Sequence, residues 1–89
     1  DLRPLIPAFL NDRRTDIVNL KRYLAQGEFD SVKRIGHSMR GTGTAYGFPF
    51  ISAVGKTLEE AAERKSTDAI RRGLGELDRY MRRVQVQYR

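Results

Sequence analysis

Apolar side chains recur every three or four residues in four stretches of the chain, which are separated by glycine, proline and polar residues. This spacing is the period of one face of an α-helix. No stretch alternates apolar and polar residues as a half-buried strand would. The pattern therefore predicts an all-α protein, an antiparallel up-down-up-down four-helix bundle whose helices are joined by short connections.

The first predicted helix spans residues 4–26 and stops at Gly27. Its apolar stripe is interrupted by the polar residues 11–16, NDRRTD. We therefore expect this helix to be bent, or its front part to form an N-terminal turn that caps the end of the bundle. The second predicted helix begins near Phe29 or Asp30.

A break at residues 47–49, Gly-Phe-Pro, ends the second helix, because the residue before a proline is pushed out of helical geometry. The third predicted helix directs Phe50, Val54, Leu58 and Ala61 inward and carries Glu59, Glu60 and Glu63 on its outer side. Ser66 or Thr67 is the expected N-cap of the fourth helix. The apolar stripe of that helix consists of Ile70, Leu74, Leu77, Met81, Val84 and Tyr88.

The second predicted helix carries the only histidine of the chain, His37. A rotation of about 100° per residue places its inward residues in one sector: Val32, Ile35, Met39, Gly43 and Tyr46. His37 then points about 160° away from the middle of that sector, toward solvent. Its neighbours on the outer face are Lys33, Arg34, Arg40, Gly41 and Thr44.

Three glycines fall inside this helix, although each costs about 1 kcal/mol relative to alanine. Gly43 lies in the inward sector, where a missing side chain lets a neighbouring helix approach closely. Gly41 lies one turn after His37 on the outer face, where a larger side chain would crowd anything that approaches the imidazole. The pattern assigns no comparable reason to Gly36.

Other kinds of site fit the sequence poorly. Gly41, Gly43 and Gly47 are spaced one residue too widely for a dinucleotide-binding loop and follow no strand. The chain has no cysteine and one histidine, so it lacks the ligands of a cysteine- or histidine-rich metal site. We expect no cofactor in this segment. With 89 residues and no long apolar run, we expect a single cytoplasmic domain, residues 1–89. Because the sequence begins with Asp1 and not with Met, we also expect it to be cut from a longer polypeptide.

The chain is basic, with seventeen lysines and arginines against eleven acidic residues, and this balance suits an acidic partner. Four basic pairs are spread along it: Arg13-Arg14, Lys33-Arg34, Arg71-Arg72 and Arg82-Arg83. The charge supports one hypothesis for the function, a basic helical module that binds nucleic acid or an acidic protein. Salt-sensitive binding that survives the loss of His37 would identify such a module.

The residues around His37 resemble the histidine-containing phosphotransfer (HPt) domain, whose motif is H-x-x-K-G followed by an apolar residue and a glycine. His37-Ser38-Met39-Arg40-Gly41 and Tyr46-Gly47 match this motif, and residues 58–62, LEEAA, resemble the segment of the next helix. Residues 20–29 resemble the preceding helix end and turn. The likeness covers about residues 9–80, and its specific part is residues 36–62.

This resemblance implies a phosphorelay intermediate that exchanges a phosphoryl group with an aspartate of a response regulator receiver domain. His37 would carry the phosphoryl group, Arg40 would offset its charge in place of the usual lysine, and Gly41 would keep access open. Supporting or docking roles would fall to Lys33, Arg34, Thr44 and Gly36. The resemblance implies no ATP site in this segment and a Mg²⁺ ion that the receiver supplies. We expect a monomeric domain, because nothing in the sequence demands an oligomer.

The sequence departs from the family pattern at Arg40, at Phe48-Pro49 and in the polar block of the first helix. A bundle that docks a receiver without carrying phosphate is therefore a third hypothesis. The partner is expected to be a receiver domain, a hybrid histidine kinase or both, and neither a membrane nor nucleic acid is expected. The sequence leaves open the parent protein, the direction of phosphoryl flow and the group that orients the second ring nitrogen of His37.

Overall fold

The structure, a computed structural model, describes residues 1–88, with the side chains of all of these except residues 85, 86 and 88. Its elements are a 3-10 turn (Arg3–Leu5), α1 (Ile6–Ala25), α2 (Phe29–Thr42), a second 3-10 turn (Thr44–Tyr46), α3 (Pro49–Glu63) and α4 (Thr67–Tyr88). In residues 1–88 there is no strand. The prediction of an all-helical protein with four helices is confirmed.

The helices pack in a ring, in which α1 contacts α2 and α4, and α3 contacts α2 and α4. One apolar core fills the space between them. Burial of each large apolar side chain stabilises the fold by about 1.5–3 kcal/mol. The largest fully buried side chains are Leu20, Val32, Met39, Ile51, Leu58, Ile70, Leu77 and Met81.

The polar block of the first helix does not interrupt the helix, since α1 continues through residues 11–16. Arg13 and Asp16 replace apolar residues in the stripe and form a largely buried ion pair at 2.7 Å. Arg13 also donates a long hydrogen bond to Thr42 on α2, at 3.4 Å. Burial raises the pKa of Asp16, and the charge of Arg13 opposes that shift. A 3-10 turn, Arg3–Leu5, precedes α1, but residues 6–10 belong to α1 and do not form a separate turn.

The predicted stop at Gly27 and the predicted cap at Ser66 are also present. Gly27 follows α1 and Gly47 follows the second 3-10 turn, with φ angles of +69° and +87°, a left-handed conformation that favours glycine. The Ser66 hydroxyl accepts a hydrogen bond from the backbone N–H of Ala69 at 3.3 Å, as an N-cap does. Tyr88, the last residue of the predicted stripe of α4, lies outside the described side chains.

Two details of the prediction are wrong. The helix that carries His37 ends at Thr42 instead of Gly47, and Tyr46 lies in the following turn, where it stacks on Phe9 at 4.4 Å. Phe50 was expected in the core but is 36% exposed and stacks on Tyr80 at the edge of the α3–α4 interface. Ile51 takes the core position instead and is fully buried.

The helices of residues 1–88 include none with a long, weakly charged apolar stretch of the kind that crosses a membrane.

Candidate functional site

His37 projects from the middle of α2, and its side chain is 76% exposed. The inward residues Val32 and Met39 are fully buried on the opposite side of the helix. The predicted outward direction of the imidazole is therefore confirmed. Its ring is nevertheless held in place, because Nδ1 lies 2.9 Å from Oε2 of Glu59 on α3.

Glu59 connects His37 with a second candidate residue, Arg40. The Nη1 of Arg40 donates a hydrogen bond to Glu59 Oε1 at 3.2 Å, so both carboxylate oxygens of Glu59 are engaged. The Arg40 side chain is half-exposed, and that of Glu59 is 12% exposed. Arg40 thus lies close to His37, as predicted, but a carboxylate bridges the two side chains.

The pKa of Glu59 is lowered, chiefly by the hydrogen bond with His37. Burial of the carboxyl group acts in the opposite direction, and the hydrogen bond and charge of Arg40 lower the pKa further. Glu59 is therefore ionised at neutral pH and can only accept hydrogen bonds. It follows that Nδ1 of a neutral His37 ring carries the proton and that the lone pair of Nε2 is available.

Glu59 was predicted on the outer side of the third helix, and that prediction is wrong. Glu59 is a buried residue on the flank of α3 that faces α2. One signal in the sequence marks this flank: Gly55 lies one helical turn before Glu59, where a missing side chain allows α2 to approach.

An open cavity of about 520 Å³ adjoins the imidazole. Its lining residues are Asp30, Lys33, Arg34, His37, Ser38 and Glu59. Lys33 forms an exposed ion pair with Glu63 at 3.3 Å, and Arg34 donates a hydrogen bond to Ser31 at 3.2 Å. The two cations predicted near His37 thus lie beside the cavity, on the same side of the bundle as the ring.

The remaining three candidates differ in their surroundings. Gly41 is exposed, and in the described part of the chain a Cβ atom at this position would meet no atom within 4 Å beyond its chain neighbours and the backbone of its own helix, as the prediction of open access requires. Gly36 was expected in an exposed docking patch but is buried against α3. Thr44 was expected beside the imidazole, but it lies in the turn after α2. Its backbone N–H and its hydroxyl both bond to Ser52 Oγ.

The positions of Gly36 and Thr44 each have a physical cause. Gly36 faces α3 because α2 and α3 approach so closely there that no side chain fits. Thr44 leaves the outer face because α2 ends two residues earlier and the chain turns toward the start of α3.

Comparison with known proteins identifies a family. The model of the Hpt domain matches residues 4–87, which include α1, α2, α3, all but the last residue of α4, and every residue of the site. No curated protein and no solved structure matches the chain.

Proposed function

Because the chain belongs to the Hpt domain family, we propose that it accepts a phosphoryl group on Nε2 of His37 and exchanges it with an aspartate of a response regulator receiver domain. Hpt domains are phosphocarriers of two-component systems and work with response regulators and histidine kinases. Membership in the Hpt family supports the general role of phosphocarrier. The geometry around His37 supports Nε2 of this residue as the atom that accepts the phosphoryl group.

The observation that carries the proposal is the hydrogen bond between His37 Nδ1 and the carboxylate of Glu59. It fixes the ring orientation and keeps the proton on the nitrogen that faces the protein. In the described part of the chain, no group is hydrogen-bonded to Nε2, and the ring is largely exposed. A second protein can therefore reach the nitrogen that holds the free lone pair.

In the proposed step, the Nε2 lone pair attacks the phosphorus atom of the receiver's aspartyl phosphate. The new N–P bond forms as the P–O bond to the aspartate breaks, and the aspartate carboxylate leaves with the electron pair. The Nδ1 proton stays on the ring, where Glu59 offsets the positive charge that the phosphorylated imidazole gains. The reverse step returns the phosphoryl group to an aspartate by the same path.

We propose that Arg40 offsets the negative charge of the phosphoryl oxygens. Its guanidinium has five N–H donors, of which one is directed at Glu59, so other donors remain for an incoming phosphoryl group. Lys33, beside the same cavity, would contribute a more distant positive charge. The Mg²⁺ ion that this transfer uses belongs to the receiver in our proposal.

The site depends on the course of α2 and α3. Contacts pair Lys33 with Glu63, His37 with Glu59, and Gly43 with Ser52, so rising residue numbers on α2 meet falling numbers on α3. These contacts and the short connections support the antiparallel, up-down-up-down course expected from the sequence.

The proposal is tested by incubating the chain with receiver domains of its source organism that have been phosphorylated with acetyl phosphate. Transfer should give the chain an acid-labile, alkali-stable phosphate, which is absent from His37→Gln. The matched control is Arg72→Gln, an exposed residue on α4, which should accept phosphate like the parent chain. Receiver binding without any transfer would support the third hypothesis, a docking bundle that carries no phosphate.

A further inference from the structure

The backbones of α2 and α3 meet directly at Gly36 and Gly55. A Cβ atom on Gly36 would lie 2.8 Å from the carbonyl oxygen of Gly55 and 2.8 Å from the backbone nitrogen of Glu59. A Cβ atom on Gly55 would lie 2.6 Å from the carbonyl oxygen of Gly36 and would also overlap the backbone nitrogen of Arg40. Cβ atoms in proteins essentially never come this close to backbone atoms, so each position has space for hydrogen alone.

This crossing lies next to the functional groups. Gly36 immediately precedes His37 and lies one helical turn before Arg40, and Gly55 lies one turn before Glu59 on the same flank of α3. The three side chains of the hydrogen-bonded network therefore leave their helices within about one turn of the point where the two backbones touch.

The distance between the helices decides whether the network can form. Ordinary van der Waals contact of a Cβ atom begins at 3.4 Å, so a methyl group on Gly55 would separate the backbones by most of an ångström. The bond between His37 Nδ1 and Glu59 Oε2 is 2.9 Å long, and N···O hydrogen bonds weaken beyond about 3.2 Å. A separation of that size is enough to break the bond unless side chains rearrange.

We propose that Gly36 and Gly55 are positioning residues for phosphotransfer, because their backbone contact sets the α2–α3 distance at which Glu59 reaches His37. This inference rests on the proposed phosphocarrier function. It gives a role to Gly36, a position that the apolar pattern of the sequence did not explain. It also explains why Gly36 and Gly55 lie inside helices, although only proline is less favourable there than glycine.

A third glycine provides a matched control. A methyl group on Gly73 of α4 would meet the Leu58 side chain at 3.1 Å, an apolar contact with the far end of a flexible side chain. Gly73→Ala therefore changes the packing of α3 against α4 and leaves the α2–α3 crossing intact. It controls for the effect of an added methyl group at a buried helix contact.

The experiment compares the parent chain with Gly55→Ala, Gly36→Ala and Gly73→Ala by ¹⁵N NMR of the imidazole at alkaline pH. Since His37 is the only histidine, its two ring nitrogens are assigned without ambiguity. The parent and Gly73→Ala should show Nδ1 protonated and Nε2 unprotonated. The two α2–α3 variants should show a mixture of both tautomers, while their far-UV circular dichroism keeps the helical content of the parent.

The same variants are then assayed for transfer from the phosphorylated receiver. The α2–α3 variants should lose about tenfold to a hundredfold in transfer rate, with receiver affinity within about twofold of the parent, as expected for a displaced reactive group. An unchanged tautomer in a folded Gly55→Ala or Gly36→Ala would overturn the inference. Unfolding of both variants would also overturn it, because the crossing would then be a requirement of the fold alone.

The tautomer measurement uses no phosphate, so it also separates the two proposals. If the parent chain shows the fixed tautomer but accepts no phosphate, the phosphocarrier function fails, and the effect of the glycines on the ring is still measured. If the parent accepts phosphate on His37 and the α2–α3 variants keep its tautomer, the positioning role fails alone.

Discussion

His37 Nδ1 and Glu59 Oε2 are 2.9 Å apart across the α2–α3 interface, although the two residues are 22 positions apart in the chain. Glu59→Gln keeps the shape of this side chain and removes its charge. An amide can donate to Nδ1 as well as accept from it, so the ring loses its fixed tautomer. We expect the rate of transfer from a phosphorylated receiver to fall by about tenfold to a hundredfold, as measured by rapid-quench kinetics under single-turnover conditions.

The control for this variant is Glu60→Gln, which removes the same charge from the next residue, an exposed one. Its transfer rate should equal that of the parent chain. Equal rates for Glu59→Gln and the parent would show that the carboxylate does not prepare the imidazole. Receiver affinity, measured separately by calorimetry, should change little in either variant.

Arg40 provides a second test, because its guanidinium is placed to contact the phosphoryl oxygens. Hydrogen bonds to charged groups are worth about 1.5–3 kcal/mol. Arg40→Ala should therefore slow transfer by about tenfold to a hundredfold, and Arg40→Lys, which restores the usual residue of the family motif, should stay within about threefold of the parent. A lysine variant as slow as the alanine variant would indicate that the planar fork of arginine is required.

Glu59 also makes stability depend on pH. Its pKa is lower in the folded chain than in the unfolded one, so its ionised form stabilises the fold. This contribution is present above about pH 4.3, the ordinary pKa of glutamate, and is lost as the pH falls through the lower folded value. The difference in free energy of unfolding between the parent and Glu59→Gln should be largest near neutral pH and should shrink below about pH 4.

Urea denaturation at a series of pH values measures this difference. Asp16, whose pKa is raised by burial, contributes with the opposite sign: its ionised form is disfavoured, and the fold gains stability from it as the pH falls. Because Asp16 is present in both proteins, its contribution cancels in the comparison. A difference that is constant from neutral to acid pH would contradict the assignment of an ionised, hydrogen-bonded Glu59.

Periodicity was sufficient to predict the four helices, since each carries an apolar stripe, and glycine, proline and polar residues separate the four stretches. It also predicted the direction of His37, because the direction of a side chain from a helix follows from the positions of its neighbours. The end of α2 was missed because Gly43 fits the inward sector of a longer helix equally well. The structure places it where α2 turns, with no space for a side chain beside Ser52.

Glu59 shows the limit of the same reasoning. A glutamate at the edge of an apolar stripe is normally exposed, so a single helix gives no reason to bury it. Its position depends on the distance to α2, and that distance depends on two glycines that lie on different helices. Such a pairwise contact is not encoded in the periodicity of either segment. Phe50 was predicted in the core position that Ile51 occupies for a similar reason. When two adjacent residues are both apolar, the sequence does not determine which of them points inward.

The arginines of α4 test the hypothesis of a basic binding module. Two of them are in ion pairs at the surface, Arg71 with Asp68 and Arg82 with Asp78. Such pairs contribute little to the stability of the fold. We expect the combined change of Arg71, Arg72, Arg82 and Arg83 to glutamine to leave transfer to His37 within about threefold of the parent. Fluorescence anisotropy with labelled DNA and RNA at several salt concentrations checks the alternative.

Under that alternative, the parent chain would bind the labelled nucleic acid with a steep salt dependence, and the quadruple variant would lose both affinity and salt dependence. His37→Gln would bind like the parent. Such a result, together with the absence of transfer, would favour the basic module over the phosphocarrier.

The central claim is that Nε2 of His37 carries the phosphoryl group while Nδ1 keeps its proton toward Glu59. The most direct measurement is ¹⁵N and ³¹P NMR of the uniformly ¹⁵N-labelled chain after reaction with phosphoramidate, which requires no partner protein. We expect one phosphorus resonance coupled to Nε2 of His37 and a protonated Nδ1. A phosphoryl group on Nδ1 or on another residue, or a chain that stays unmodified while a known phosphocarrier reacts, would contradict the claim.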